Sequence, residues 1–143
     1  MTPQRVTLIT LGVDDLARSR DFYDSLGWVA VQGDESIVFY QMNGLVLGLF
    51  NREALADDQG RPGADLGTGA MTLAQNFLTT QEVDAAYAAA ISVGATPLKK
   101  PEKVFWGGYS GYYADPDGHV WEMAMNPFSP PNEDGSQTMS KSE

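Results

Sequence analysis

The sequence is expected to fold as an α+β domain: two βαβββ modules forming a curved mixed sheet around a concave cavity. Two observations predict this. One order of elements is written twice, on either side of a polar, glycine-rich stretch. In each copy a helical segment closes on a glycine, Gly27 or Gly94, and three short strand-like segments follow it. One module alone would leave an apolar sheet face and bare strand edges, so the duplication makes structural sense. A chain of 143 residues suits one domain, spanning 1–128, and can bury roughly two-thirds of its unfolded surface.

Module one covers 5–50. "VTLITLG" (Val6 to Gly12) is rich in β-branched and apolar residues and reads as a strand. "DDLARSRDFYDSLG" follows with helix chemistry: Asp14 or Asp15 caps it, Leu16, Phe22, Tyr23 and Leu26 share a side, and Gly27 ends it. "WVAVQ", "SIVFYQM" and "LVLGLF" are three strands, turned at "GDE" and at Asn43-Gly44, a tight-hairpin signal. The linker, 51–69, opens with a possible helical turn at "REALADD". Module two, 70–127, repeats the order. "AMTLAQNFL" is a strand, and "TTQEVDAAYAAAISVG" a helix with Thr79 and Glu82 at capping-box spacing. "ATPLKK", "GYSGYYA" and "HVWEMAM" are strands, with "DPDG" turning into the last. Residues 129–143, nearly free of apolar side chains, are expected to be a disordered tail.

Composition narrows the partners. A net charge of −10 argues against nucleic acid and anionic membrane surfaces, which need clustered Lys and Arg. No apolar run approaches the ~20 residues of a membrane span. Zero cysteines remove thiolate nucleophiles, thiolate metal sites and disulfides together, which fits a cytoplasmic location. Phosphate-binding loops, Gly-x-Ser-x-Gly elbows and His-Glu-x-x-His helices are missing. The partner left by elimination is a small organic molecule.

The stretches "LGVDDLARSRDFYDSLGW", "EVDAAYAAAISVGAT" and "YYADPDGHVWEMAMNP" resemble, in this order, the vicinal oxygen chelate superfamily. Glyoxalase I, extradiol dioxygenases and bleomycin-resistance proteins belong to it. The resemblance runs from about Val6 to Pro127 and implies the two-module fold and a homodimer. It says little of reaction, because the superfamily holds isomerases, dioxygenases, lyases and non-catalytic binders. For its enzymes it implies a divalent metal, with one ligand from the first and one from the last strand of each module. Glu122 stands four residues after Gly118, and Gly48 four after Gly44. Gln75 and Leu8 each stand 19 residues before the glycine that ends the helix. Leu8 and Gly48 offer no side-chain donor, Gln75 is a weak neutral one, and Glu122 alone is charged. No metal or other cofactor is therefore expected. The alternative is a divalent-metal glyoxalase- or dioxygenase-type enzyme with a non-standard site of Glu122, Gln75 and water.

Three roles stay open for Glu122: a hydrogen-bonded structural carboxyl, an anchor for a ligand's hydroxyl, amine or cation, or a metal-free acid or base. It is the one catalytic candidate. Strand alternation places Val120, Glu122 and Ala124 on one face and Trp121, Met123 and Met125 on the other. The Glu122 face is expected to include Val46, Gly48 and Phe50, then Leu8, Thr10 and Gly12, and finally Gln75 with Phe77. "VFWGGYSGYY" adds aromatics: Trp106 on a glycine-bent rim, and Tyr109 and Tyr113 on one strand face with Tyr112 on the other. Tyr40 is a further ligand candidate, and His119 reads as a turn residue. The expected ligand contacts are thus Glu122, Gln75, Trp106, Tyr109, Tyr113, Phe50, Phe77 and Tyr40.

Overall fold

In a computed structural model, residues 1–139 are described, and residues 140–143 of the expected tail lie outside the described residues. The described chain divides into two compact units, one ending at Gly67 and the other starting at Thr68. Each carries one four-stranded mixed sheet.

In the first unit, β1 (Leu8–Val13), α1 (Leu16–Ser25), β2 (Ala30–Gly33), β3 (Ile37–Gln41) and β4 (Val46–Asn51) follow one another. The sheet order is β1-β4-β3-β2, with β1 parallel to β4 and the other pairs antiparallel. β2 and β3 can join by tight turns to their neighbours, whereas the long step from β1 to the far edge needs a crossover, which α1 supplies. Asp15 caps α1, its carboxylate accepting the Arg18 amide at 3.1 Å. Gly27, at φ +93°, takes the left-handed turn that releases the chain toward β2.

Register sorts the residues of this sheet. Leu11, Leu49 and Val38 stand side by side, as do Leu47 and Tyr40, and all five are buried. Phe22 and Tyr23 of α1 are buried as well, and the Tyr40 hydroxyl donates to Asp24 of that helix at 2.8 Å. This is the helix-covered face and the core, each large side chain contributing roughly 1.5–3 kcal/mol by burial. Tyr23, Trp28 and Tyr40 extend it as an aromatic cluster, with centroids 5.3 Å apart for Tyr23 and Trp28. The opposite, open face carries Leu8, Thr10 and Gly12 of β1, Val46, Gly48 and Phe50 of β4, and Ile37 and Phe39 of β3.

The possible turn at "REALADD" is a helix, α2 (Arg52–Asp58), with Asn51 as its cap. It lies on the open face, at one end. A side chain at Gly12 would meet Leu55 at 3.2 Å and Arg52 at 3.5 Å. Arg52 donates to the Leu66 carbonyl at 3.0 Å and the Gly12 carbonyl at 3.4 Å, and pairs with Asp14 at 3.4 Å. One guanidinium thus ties the linker back to β1.

The second unit repeats the plan with β5 (Thr72–Asn76), α3 (Thr80–Ser92), β6 (Thr96–Lys103), β7 (Tyr109–Ala114) and β8 (Val120–Met125), in order β5-β8-β7-β6. The expected capping box forms: Thr79 accepts the Glu82 amide at 3.1 Å and donates its hydroxyl to the Glu82 carboxylate at 3.0 Å. β6 runs three residues beyond its expected end at Lys100. It is an edge strand with Pro97, Pro101, three lysines and two register shifts, all of which discourage a further strand from adding. In the turn into β8, buried Asp115 accepts the amides of Asp117 and His119, both at 2.9 Å. Val83 and Ala90 of α3 are buried, as are Tyr113, Trp121 and Met123 on the facing side of the sheet. The segment 129–139 carries local hydrogen bonds, and Gln137 accepts from the Asn76 side chain at 3.2 Å.

Candidate functional site

The open face of the second sheet is fixed by the partners of Glu122. Across the parallel pair Glu122 stands beside Ala74, and across the antiparallel pair beside Tyr112. Thr72, Asn76, Val120, Ala124, Ser110 and Ala114 complete that face by register. Glu122 is half-buried, and the Tyr112 hydroxyl donates to its carboxylate. Burial, first, and then the adjoining Glu122 charge and hydrogen bond push the Tyr112 phenol above its ordinary value of 10.0. Tyr112 therefore keeps its proton near neutrality and acts as a donor to Glu122. Beyond Tyr112 on β6 stands Lys99, whose ammonium pairs with Glu102 at 3.5 Å.

Several sequence expectations are corrected by this register. Gln75 stands beside Met123 and not beside Glu122, so it belongs to the helix-covered face. Phe77 follows it in the alternation, its amide donating to the Ala124 carbonyl at 2.8 Å. The expectation slipped because it counted back from Gly94, and α3 (13 residues) is three residues longer than α1 (10 residues), an odd difference that changes the strand face. Tyr109 and Tyr113 stand beside Met125 and Trp121, again on the helix side. Tyr113 is buried there, and Tyr109 donates to Asp84 of α3 at 2.7 Å. Tyr40 is likewise core, held against α1 by Asp24. None of these five shares the face of Glu122.

Other candidates keep their places. Phe50 is half-buried on the open face of the first sheet, beside Ile37 and Gly12. Trp106 sits in the β6–β7 turn, 43% exposed, with its ring folded over Gly108, where any side chain would collide with it. His119 begins at the acidic turn, as expected, its amide held by Asp115.

The residue missed was Tyr112. A signal for it existed: a hairpin turning at Asp115–Gly118 pairs Ala114 with Val120, and counting outward pairs Tyr112 with Glu122. In the first unit Thr10 and Gly48 stand side by side on the expected face, and the unforeseen member of the row is Phe39, on the other side of Gly48. A side chain at Gly48 would find the Phe39 ring 3.2 Å away and the Thr10 hydroxyl 3.5 Å away. The ring thus fills the space beside the position that matches Glu122.

These donors do not fit the metal that the resemblance implies. Leu8, Gly48 and Ala74 provide nothing to coordinate, and Thr10 is a neutral hydroxyl. Among the described residues no group of three or more His, Cys, Asp or Glu side chains is gathered as a metal site requires.

Two repeated βαβββ units, each a four-stranded mixed sheet with a helix packed on one face, define the class of fold. The chain belongs to the Glyoxalase/Bleomycin resistance protein/Dioxygenase superfamily, whose family model matches residues 5–123. It is similar to the crystal structure of a glyoxalase-related enzyme from Fulvimarina pelagi, at 39% identity and a TM-score of 0.90, covering 97% of this chain and 100% of that one. A glyoxalase/bleomycin resistance protein from Albidiferax ferrireducens T118 matches at 26% identity and a TM-score of 0.65, over 85% of this chain and 98% of that one. An uncharacterized protein of Mycobacterium tuberculosis is 29% identical over 124 residues, 80% of this chain and 71% of that protein. No helix among the described residues is long and apolar enough to cross a membrane.

Proposed function

We propose that the protein binds a small organic molecule on the open face of the second sheet, with Glu122 as its polar anchor and no metal between them. One observation supports this above the rest: Glu122 is met by the Tyr112 hydroxyl, and among the described residues no group of three His, Cys, Asp or Glu side chains gathers as a metal site requires. Ala74 beside Glu122 and Val120 and Ala124 along β8 are small and apolar, while Thr72, Ser110 and Asn76 stand farther along the strands, which leaves Glu122 as the charged handle. The metal-enzyme reading relied on Gln75 as a second donor, and Gln75 lies on the other face. A homodimer in the cytoplasm completes the proposal, and sedimentation velocity tests the dimer.

Trp106 serves as the ligand's aromatic contact in this reading. It is also a convenient reporter, because Trp121 is buried and Trp28 is stacked on Tyr23. The test is a fragment screen by amide NMR, run beside metal analysis of protein purified without chelator. Shifts confined to Tyr112 and Val120–Ala124, with no stoichiometric metal, are the expected result. About one metal per chain, lost in Glu122→Ala, overturns it and makes the protein a metal enzyme.

A further inference from the structure

Beside Glu122 the open face of the second sheet presents acceptors, and the hydroxyl and amide groups of Thr72, Ser110 and Asn76 stand two positions away along their strands. Glu122 is a carboxylate, and the one proton that Tyr112 can give is already spent on it. What the pair turns outward is therefore the remaining carboxylate lone pairs and the phenol oxygen, all acceptors. Ala74 and Ala124 beside them have no polar side-chain atom to offer. Lys99, the basic residue next in the row, is held by Glu102. Among the described residues no Lys, Arg or His pairs with Glu122.

The internal repeat supplies a control. The first unit has the same cross-strand pair, Phe39 beside Gly48, in the same place. There the carboxylate is missing and so is the hydroxyl, and the ring closes over the gap. The hydroxyl of Tyr112 thus accompanies the carboxylate and is no requirement of the sheet. A tyrosine that donates to Glu122 fixes which way the carboxylate points, as a positioning residue does.

We infer that the Glu122–Tyr112 pair is built to receive a cationic group with two N–H donors, an amidinium or a protonated amine on an otherwise apolar body. Glu122 accepts the charge-assisted hydrogen bond, and Tyr112 aims the carboxylate and accepts the second donor. This rests on the small-molecule reading above and narrows it to a chemical class.

Three isosteric probes separate the two claims: benzamidinium, neutral benzamide and anionic benzoate, each titrated into the full chain and followed by amide NMR. Benzamidinium is expected to shift Tyr112 and Glu122 and to bind at least roughly tenfold tighter than benzamide, with benzoate weakest. Glu122→Gln should lower the benzamidinium-to-benzamide ratio by roughly tenfold, and Tyr112→Phe by roughly threefold, with at most a small fall in melting temperature. A merely structural role for Tyr112 would lower both affinities together and leave that ratio alone. A ratio near one, or one that Glu122→Gln leaves unchanged, overturns the cationic class while shifts at Val120–Ala124 keep the small-molecule reading. No shift at these residues with any probe overturns both.

Discussion

Tyr112 and Glu122 are direct neighbours across β7 and β8, and Phe39 and Gly48 are the same pair in the other module. One chain therefore carries two solutions to one local problem. In the first, a ring leans over a bare glycine; in the second, a phenol donates to a carboxylate. The energetics differ. A ring against backbone gains dispersion contacts, whereas the Tyr112–Glu122 hydrogen bond is half exposed and screened by water. Tyr112→Phe should accordingly cost under about 1 kcal/mol of stability, read as a small fall in the urea midpoint at constant slope.

The two solutions should be exchangeable as pairs and not singly. Gly48→Glu places a carboxylate against the Phe39 ring, which has no proton to give, and should cost about 1–3 kcal/mol. Adding Phe39→Tyr supplies the missing donor and copies the second module. The double variant should recover part of that loss, with a coupling energy of about 0.5–1 kcal/mol in a double-mutant cycle. Additive losses would show that the register match of the two rows has no energetic content.

How far the sequence could be read follows from the same rows. The eight strands, the helices α1 and α3 and their caps were legible, because apolar spacing, Asp15, Thr79 and two terminal glycines all agree locally. Glu122, Phe50 and Trp106 were found where they stand. Gln75 and Phe77 were misplaced because strand period is two, so a slip by an odd number of residues moves a side chain to the other face. For Gln75 and Phe77 the slip came from a helix three residues longer in the second module. Tyr109, Tyr113 and Tyr40 were chosen for aromatic character, yet Tyr40 and Tyr113 are spent in the core and the Tyr109 hydroxyl on Asp84 of α3. The seven-residue α2 over Gly12 left too weak a periodic signal to place on a face.

Ser19 on α1 is fully buried, and its hydroxyl has no hydrogen-bond partner among the described residues. Removing an unsatisfied buried hydroxyl removes its desolvation cost and leaves only a small loss of volume. Ser19→Ala, which also raises helix propensity, should hold or increase stability, by up to about 1 kcal/mol. The melting temperature checks this, and a clear decrease would mean that the hydroxyl is satisfied in solution.

Arg52 makes its contacts through the flat guanidinium, reaching the Leu66 and Gly12 carbonyls and the Asp14 carboxylate at once. A lysine has one point of attachment and cannot bridge them. Both Arg52→Ala and Arg52→Lys should therefore release the linker, at a cost of about 1–2 kcal/mol. Faster proteolysis near Gly60–Gly67 and faster amide exchange there are the expected signs, with β3 unaffected. A lysine variant as protected as the parent would show that charge alone holds the linker.

The buried phenols set a limit at alkaline pH. Tyr40 and Tyr113 both have hydroxyls pushed well above the ordinary value of 10.0, chiefly by burial. At Tyr40 the hydrogen bond to Asp24 adds to this, and at Tyr113 the charge of Asp115 does. Below about pH 10 both are protonated, folded or unfolded, so neither makes stability depend on pH. Above it the unfolded phenols ionise first, and the folded state binds more protons than the unfolded one. Stability must then fall as pH rises from about 10 toward the folded values. Melting temperatures measured between about pH 8 and 11 should be flat at first and then decline. Tyr113→Phe keeps the ring and removes the titration, so its decline should be shallower than that of the parent. An equal slope in the variant would place the alkaline loss on other groups and leave Tyr113 without that role.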